Sequence, residues 1–258
     1  MKKILIYTCC FLLLVGMVKA QEVIRPVDKL LSLRVGYQDN YLKDNILSPL
    51  HYRGAGLQYG LSYRRIGENI FGISVGYGAG EVRSNETSGF INTFLDINIG
   101  VQYLFRIKND KESLDFYMGG AYETNAFFID WNDLDAFSYT SSQGLVIKGL
   151  VAKRINDKHS IQTSIGVPIV QFLGRPPYNG IDEFIIENQD NPVKIMLQGE
   201  PASFGQYLGL DWGLAYAFQI LPGLAWNLDY SISFQKVNNL HSYKRMAMTP
   251  ATGITLKF

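Results

Sequence analysis

From Phe204 to Ile220, every second residue is large or apolar except Gln206: Phe204, Leu208, Leu210, Trp212, Leu214, Tyr216, Phe218 and Ile220. The intervening set, Gly205, Tyr207, Gly209, Asp211, Gly213, Ala215, Ala217 and Gln219, is mostly small or polar. After Leu221-Pro222-Gly223 the alternation resumes in phase. Leu224, Trp226, Leu228, Tyr230, Ile232 and Phe234 alternate with Ala225, Asn227, Asp229, Ser231, Ser233 and Gln235. A period of two is the signature of a β-strand, whose side chains point alternately to opposite faces. The short Pro-Gly break predicts an antiparallel hairpin.

The same unit recurs along the chain. It predicts strands over 29–38, 52–64, 69–83, 90–105, 114–129, 137–154 and 160–172, then the pair just described, then 243–258. Tight connections at Ile66–Glu68, Ile107–Ser113, Ile155–His159 and Leu221–Gly223 alternate with others. Among those others, Asp39–His51 and Asp130–Asp135 are polar and Leu173–Ser203 is long. The expected fold is all-β, a transmembrane antiparallel up-and-down barrel of about ten strands with short periplasmic turns and a long external loop. A count of about eight or about twelve follows if short runs merge or split.

Two features turn the apolar face outward, toward lipid. The opposite face is dominated by Gly, Ala, Ser, Asn and Asp, which suits a narrow lumen better than a solvent surface. The outward aromatics gather near strand ends. Tyr63, Phe71, Tyr103, Phe105, Phe116, Phe218, Trp226 and Phe258 lie at one end, and Tyr37, Tyr77, Phe128, Phe204 and Phe234 at the other. Amphipathic rings favour both membrane–water boundaries, so the two groups read as girdles.

Composition and targeting agree with that location. Met1-Lys2-Lys3, an apolar run from Ile4 to Val18 and then Lys19-Ala20-Gln21 read as a secretory signal peptide over 1–20, leaving 21–258 as a barrel domain. The apolar run is short of the roughly 20 residues that span a bilayer as a helix. Both cysteines, Cys9 and Cys10, fall in the leader, so no disulfide, thiol nucleophile or Cys-ligated metal is expected beyond it. The net charge of +1 becomes slightly negative once Lys2, Lys3 and Lys19 are removed, which excludes an electrostatic case for nucleic acid. No cofactor is expected.

At the end of the chain, Ile254, Leu256 and Phe258 alternate up to the carboxylate. This resembles the C-terminal insertion signal of bacterial outer-membrane proteins, and with the leader it makes the chain similar to a small outer-membrane β-barrel of a Gram-negative bacterium. The resemblance implies the outer membrane as location, with the lipid bilayer and, during insertion, the barrel-assembly machinery as partners. It says little about activity, because barrels of this size include adhesins, proteases, lipid-modifying enzymes and passive structural proteins.

The candidate chemistry lies in three places. Strand parity points Arg34, Arg64, Asp96, Asp115, Glu123, Lys148, Arg154, Asp211, Asp229, Arg245 and Lys257 into the lumen. Near balance of sign favours a bore filled by ion pairs over a charged conduction path. At the external rim, His51 and His241 could approach Asp130, Asp133 and Asp135. A histidine with carboxylates there resembles omptin-type surface proteases, but the paired acidic residues and the Asp-His dipeptide of that family are missing. In His159-Ser160 and His241-Ser242 the two side chains would point to opposite faces of a strand, and no hydrolase motif is matched. Gly76-x-Gly78-x-Gly80 has no following helix and is no phosphate loop. No catalytic or metal residue is assigned.

Third, the long connection carries two apolar clusters: Ile181, Phe184, Ile185 and Ile186, then Val193, Ile195, Met196 and Leu197. Loops this long are usually functional or disordered. The clusters fit either a lid over the barrel mouth or an apolar docking surface for a protein or lipid partner. The expected function is a non-enzymatic barrel with a filled lumen and a structural or surface-interaction role. A diffusion pore and a surface hydrolase are the alternatives.

Overall fold

The computed structural model describes residues 27–46, 48–84, 91–107, 114–131, 136–175, 187, 188, 190, 191, 194, 199–238 and 242–258. The strands are β1 (Asp28–Asp44), β2 (Tyr52–Ile66), β3 (Ile70–Ser84), β4 (Asn92–Ile107), β5 (Leu114–Trp131) and β6 (Ala136–Arg154). They continue as β7 (His159–Gly174), β8 (Glu200–Ala202), β9 (Tyr207–Leu221), β10 (Leu224–Val237) and β11 (Tyr243–Lys257). All pairings are antiparallel. Each strand pairs with its sequence neighbour, β11 pairs with β1 and β7 with β9, so the sheet closes into a ten-stranded barrel with β8 outside the count.

The expected parity holds in the wall. Leu33, Tyr59, Ile99, Val101, Leu145, Ile165, Leu228 and Ile254 are exposed on the outer face, while Ser32, Gln38, Asn40, Asp96, Ser142 and Thr255 are buried on the inner one. An outer face this apolar is matched by hydrocarbon, as in outer-membrane barrels. At the Leu221–Leu224 hairpin, Gly223 has φ 91°, the left-handed value that the third position of a type II turn requires after Pro222. A register shift at Leu224/Ala225 follows that turn.

The structure departs from the alternation pattern in five places. First, β1 runs on to Asp44, where a polar connection from Asp39 was expected. This stretch rises past the apolar band and polar outward side chains suit it: Arg53 Nη2 pairs with Asp39 Oδ2 at 2.8 Å across the strands. Second, β9 starts at Tyr207, and Phe204 lies in the preceding turn. Third, β8 pairs three residues of the long connection with the upper part of β7.

Fourth, β7 carries a bulge at Ile169, which has no partner between Val146↔Pro168 and Leu145↔Val170. The extra residue reverses the parity above it, so Gln171 and Leu173 are buried inside while Val170 and Phe172 face out. Fifth, the inner face is not small and polar throughout. Leu42, Tyr52, Val82, Phe94, Phe127, Ile129, Trp131, Leu173, Ala202, Tyr207, Val237 and Tyr243 form one apolar cluster at the external end. A second cluster, Ile70, Leu104, Tyr117 and Leu150, lines one side of the periplasmic end. Both ends of the strands pass the lipid band, and there the only place for apolar side chains to escape water is inward.

Candidate functional site

The lumen is built in levels. At the external mouth, Arg175, just after β7, donates from Nη2 to Asp44 Oδ1 at 2.6 Å. Its guanidinium also lies over the Tyr243 ring at 5.2 Å. Because Asp44 ends β1 and Tyr243 starts β11, this pair reaches across the mouth. Beneath it lies the external apolar cluster. Tyr52 and Trp131 meet edge to face at 5.1 Å, Phe94 and Phe127 stack at 5.5 Å, and Trp131 Nε1 donates to Ser138 Oγ at 3.1 Å.

The next level is polar and tightly bonded. Arg245 on β11 forms an ion pair with Asp96 on β4, with side chains only 4% and 2% exposed. The Asp96 carboxylate also accepts from Gln38 Nε2 at 2.6 Å, Asn98 Nδ2 at 3.2 Å and Asn125 Nδ2 at 3.3 Å. Arg245 donates from Nε and Nη2 to Asn40 Oδ1 at 3.0 and 2.9 Å, and its Cζ lies 3.8 Å from the centre of the Phe127 ring on β5. In the strand order β11 and β5 face each other across the bore, so this one side chain spans it. Space is short here: a Cβ at Gly78 would stand 2.6 Å from Gln38 Oε1.

Lower down, Lys148 pairs with Glu123 on the adjacent strand. Arg34 Nη1 lies 4.0 Å from Asp229 Oδ1. Arg64 on β2 reaches over to β7 and donates from Nη1 to Gln162 Oε1 at 3.0 Å, a second crossing of the bore. Arg106 Nη2 pairs with Asp115 Oδ1 at 2.5 Å, and Lys257 Nζ with Asp28 Oδ2 at 2.8 Å near the periplasmic rim, where Arg154 is exposed. A cavity of about 330 Å³ lies between the Asp96–Arg245 and Arg34–Asp229 levels, with Asp211 in its wall. A second, of about 460 Å³, runs from Arg34, Arg64 and Asp229 down to Asp28 and Lys257.

Every lumen residue expected from parity therefore lines the bore or its rim, mostly as pairs. Sequence reasoning omitted Asn40, Arg106 and Arg175 from this set. Asn40 and Arg106 fell beyond the expected strand ends, although both continue the inward parity. Arg175 sits outside any strand and carries no local signal.

Ile254, Leu256 and Phe258 are exposed on the outer face. The two apolar clusters of the long connection, Ile181, Phe184, Ile185 and Ile186 and Val193, Ile195, Met196 and Leu197, lie outside the described residues, as do the leader, His241, Asp133 and Asp135. His51 is exposed beside an outer cleft of about 300 Å³ whose lining carries no carboxylate. His159, expected as a solvated turn residue, begins β7 instead. Its Nδ1 lies 2.5 Å from Tyr216 Oη and its ring packs 5.0 Å from Phe218 in the periplasmic girdle. Among the described residues no group of three or more His, Cys, Asp and Glu is placed to hold a metal.

No family model matches this chain, and no curated protein matches it. Solved structures do. The outer-membrane protease OmpT of Escherichia coli aligns over 94% of this chain and 99% of its own with a TM-score of 0.51 and 6% identity. Neisserial surface protein A aligns over 88% and 97% with a TM-score of 0.39 and 11% identity. Ail, the attachment invasion locus protein of Yersinia pestis, aligns over 89% and 98% with a TM-score of 0.31 and 15% identity. At 6% identity the likeness to OmpT is one of fold. Together with the closed ladder, the apolar outer face and the polar bore, it makes this chain an integral β-barrel of the outer membrane.

Proposed function

We propose that this protein is a non-enzymatic, non-conducting envelope barrel with a structural or surface-interaction role. The observation that carries the reading is the external apolar cluster, to which every strand except β6 contributes. With the Arg175–Asp44 pair above it and the Asp96–Arg245 assembly below it, the cluster is one of three successive levels that support a filled bore. Ions cross an apolar plug of this kind poorly, since each would shed its hydration shell.

The long connection is the surface on which a partner would dock, through the apolar residues Ile181, Phe184, Ile185, Ile186, Val193, Ile195, Met196 and Leu197. Insertion through the barrel-assembly machinery is read from the outward Ile254, Leu256 and Phe258. The test is planar-bilayer recording on the purified barrel. A closed baseline under voltage supports the reading, and steady unitary steps from the wild-type chain overturn it in favour of a pore.

A further inference from the structure

The outer face just above the apolar band carries an arrangement that the barrel wall alone does not explain. Lys43 on β1 stands directly opposite Lys244 on β11, and Lys244 stands directly opposite Lys236 on β10. All three point outward, because their neighbours Leu42, Asp44, Tyr243, Arg245, Gln235 and Val237 are buried inside. Facing pairs on adjacent strands hold their Cβ atoms about 4.5–5.5 Å apart, and like charges so placed destabilise the sheet.

Among the described residues no counter-charge relieves the row. None of the three lysines forms an ion pair among the described residues. The two nearby carboxylates are engaged elsewhere, Asp39 by Arg53 and Asp44 by Arg175. The adjoining connections Asn45–His51 and Asn238–Ser242 contain neither Asp nor Glu but do contain His51 and His241. Below the row the surface turns apolar on β10 and β11, while Arg53, paired with Asp39, borders it on β2. A cleft of about 300 Å³ joins Lys43 and Lys244 to Tyr41, Phe234 and Met246.

We propose that this face binds the phosphate headgroup of an anionic amphiphile in the outer leaflet. The lysine row takes the phosphate, and the apolar part of the cleft takes the start of the acyl chains. A cation row over an apolar strip fits an amphiphile lying along the wall. A free phosphate would gain nothing from Tyr41, Phe234 and Met246. The site lies on the external side, because the tight hairpins mark the opposite side as periplasmic. It is independent of whether the lumen conducts.

The test uses the full barrel in a neutral maltoside detergent, with dihexadecyl phosphate, phosphatidylcholine or inorganic phosphate added. Dihexadecyl phosphate should raise the thermal unfolding midpoint of the wild type, and the other two should not. Lys43→Gln/Lys244→Gln should weaken the apparent affinity for dihexadecyl phosphate about thirtyfold. In pure neutral detergent the same variant should unfold at a higher temperature than wild type, because the repulsion is gone; loss of a merely structural pair would lower it. Lys236→Gln alone, at the end of the row, gives a milder version of both effects. An equal rise with inorganic phosphate overturns the amphiphile, and an undiminished response in both variants overturns the site.

Discussion

The Asp96–Arg245 assembly gives the sharpest test of how the lumen is held. Asp96→Ala removes one partner of a pair whose side chains are 2% and 4% exposed and leaves the guanidinium of Arg245 in the bore without its carboxylate. Breaking a buried pair by removing one member costs about 3–5 kcal/mol, mostly the desolvation of the charge left behind. Solvent screening takes little from that figure at this burial. Gln38, Asn98 and Asn125 lose their acceptor at the same time. The comparison variant is Asp96→Asn/Arg245→Gln. It removes both charges but keeps amides that can bond to each other and to Asn40, so its cost should stay below about 2 kcal/mol, within the usual coupling energy of neighbouring sites. The assay is urea unfolding in lipid vesicles followed by tryptophan fluorescence. Trp131, in the cluster next to Phe127, reports on this level of the lumen. A cost below about 1 kcal/mol for Asp96→Ala, or a neutral pair as unstable as that single variant, refutes the claim that charge pairing holds the bore.

Three further outcomes are expected. Leu228→Arg, at a position 50% exposed on the lipid face of β10, should destabilise the barrel by about 2–4 kcal/mol in vesicle unfolding, whereas the inward Asn227→Ser should change little. Tyr52→Ala/Trp131→Ala removes two facing rings of the external apolar cluster and, on the proposed reading, should convert a closed baseline into measurable conductance; a barrel that stays folded and closed argues against the cluster as the barrier. Deleting Phe258 should lower the amount of protein in the outer membrane, measured by fractionation, with little change in the unfolding of barrel that has inserted.

Much of the architecture is local, and that is why alternation disclosed it. Successive strands pair with each other, so the order of β1 to β7 and the β9–β10–β11 meander need only strand and turn signals read one after another. Pro222-Gly223 marks its hairpin because a type II turn needs the left-handed glycine. Parity also set Arg34, Asp96, Glu123, Lys148, Asp211, Asp229 and Arg245 on the inner face before any contact was known.

What needed the closed barrel is whatever depends on distance across it or height along it. Period two tells a side chain in from out, but it is silent on which level it occupies. It therefore could not foresee that Arg245 meets Asp96 and the Phe127 ring, or that Arg64 reaches Gln162 on the far wall. It also assigned the inner face one polar character. Outside the lipid band the solvent changes from hydrocarbon to water, and there Tyr52, Phe94 and Trp131 turn inward into an apolar cluster. The bulge at Ile169 is hidden for a related reason. One inserted residue reverses parity without altering composition, and only the register against β6 shows that Gln171 and Leu173, rather than Val170 and Phe172, face the lumen.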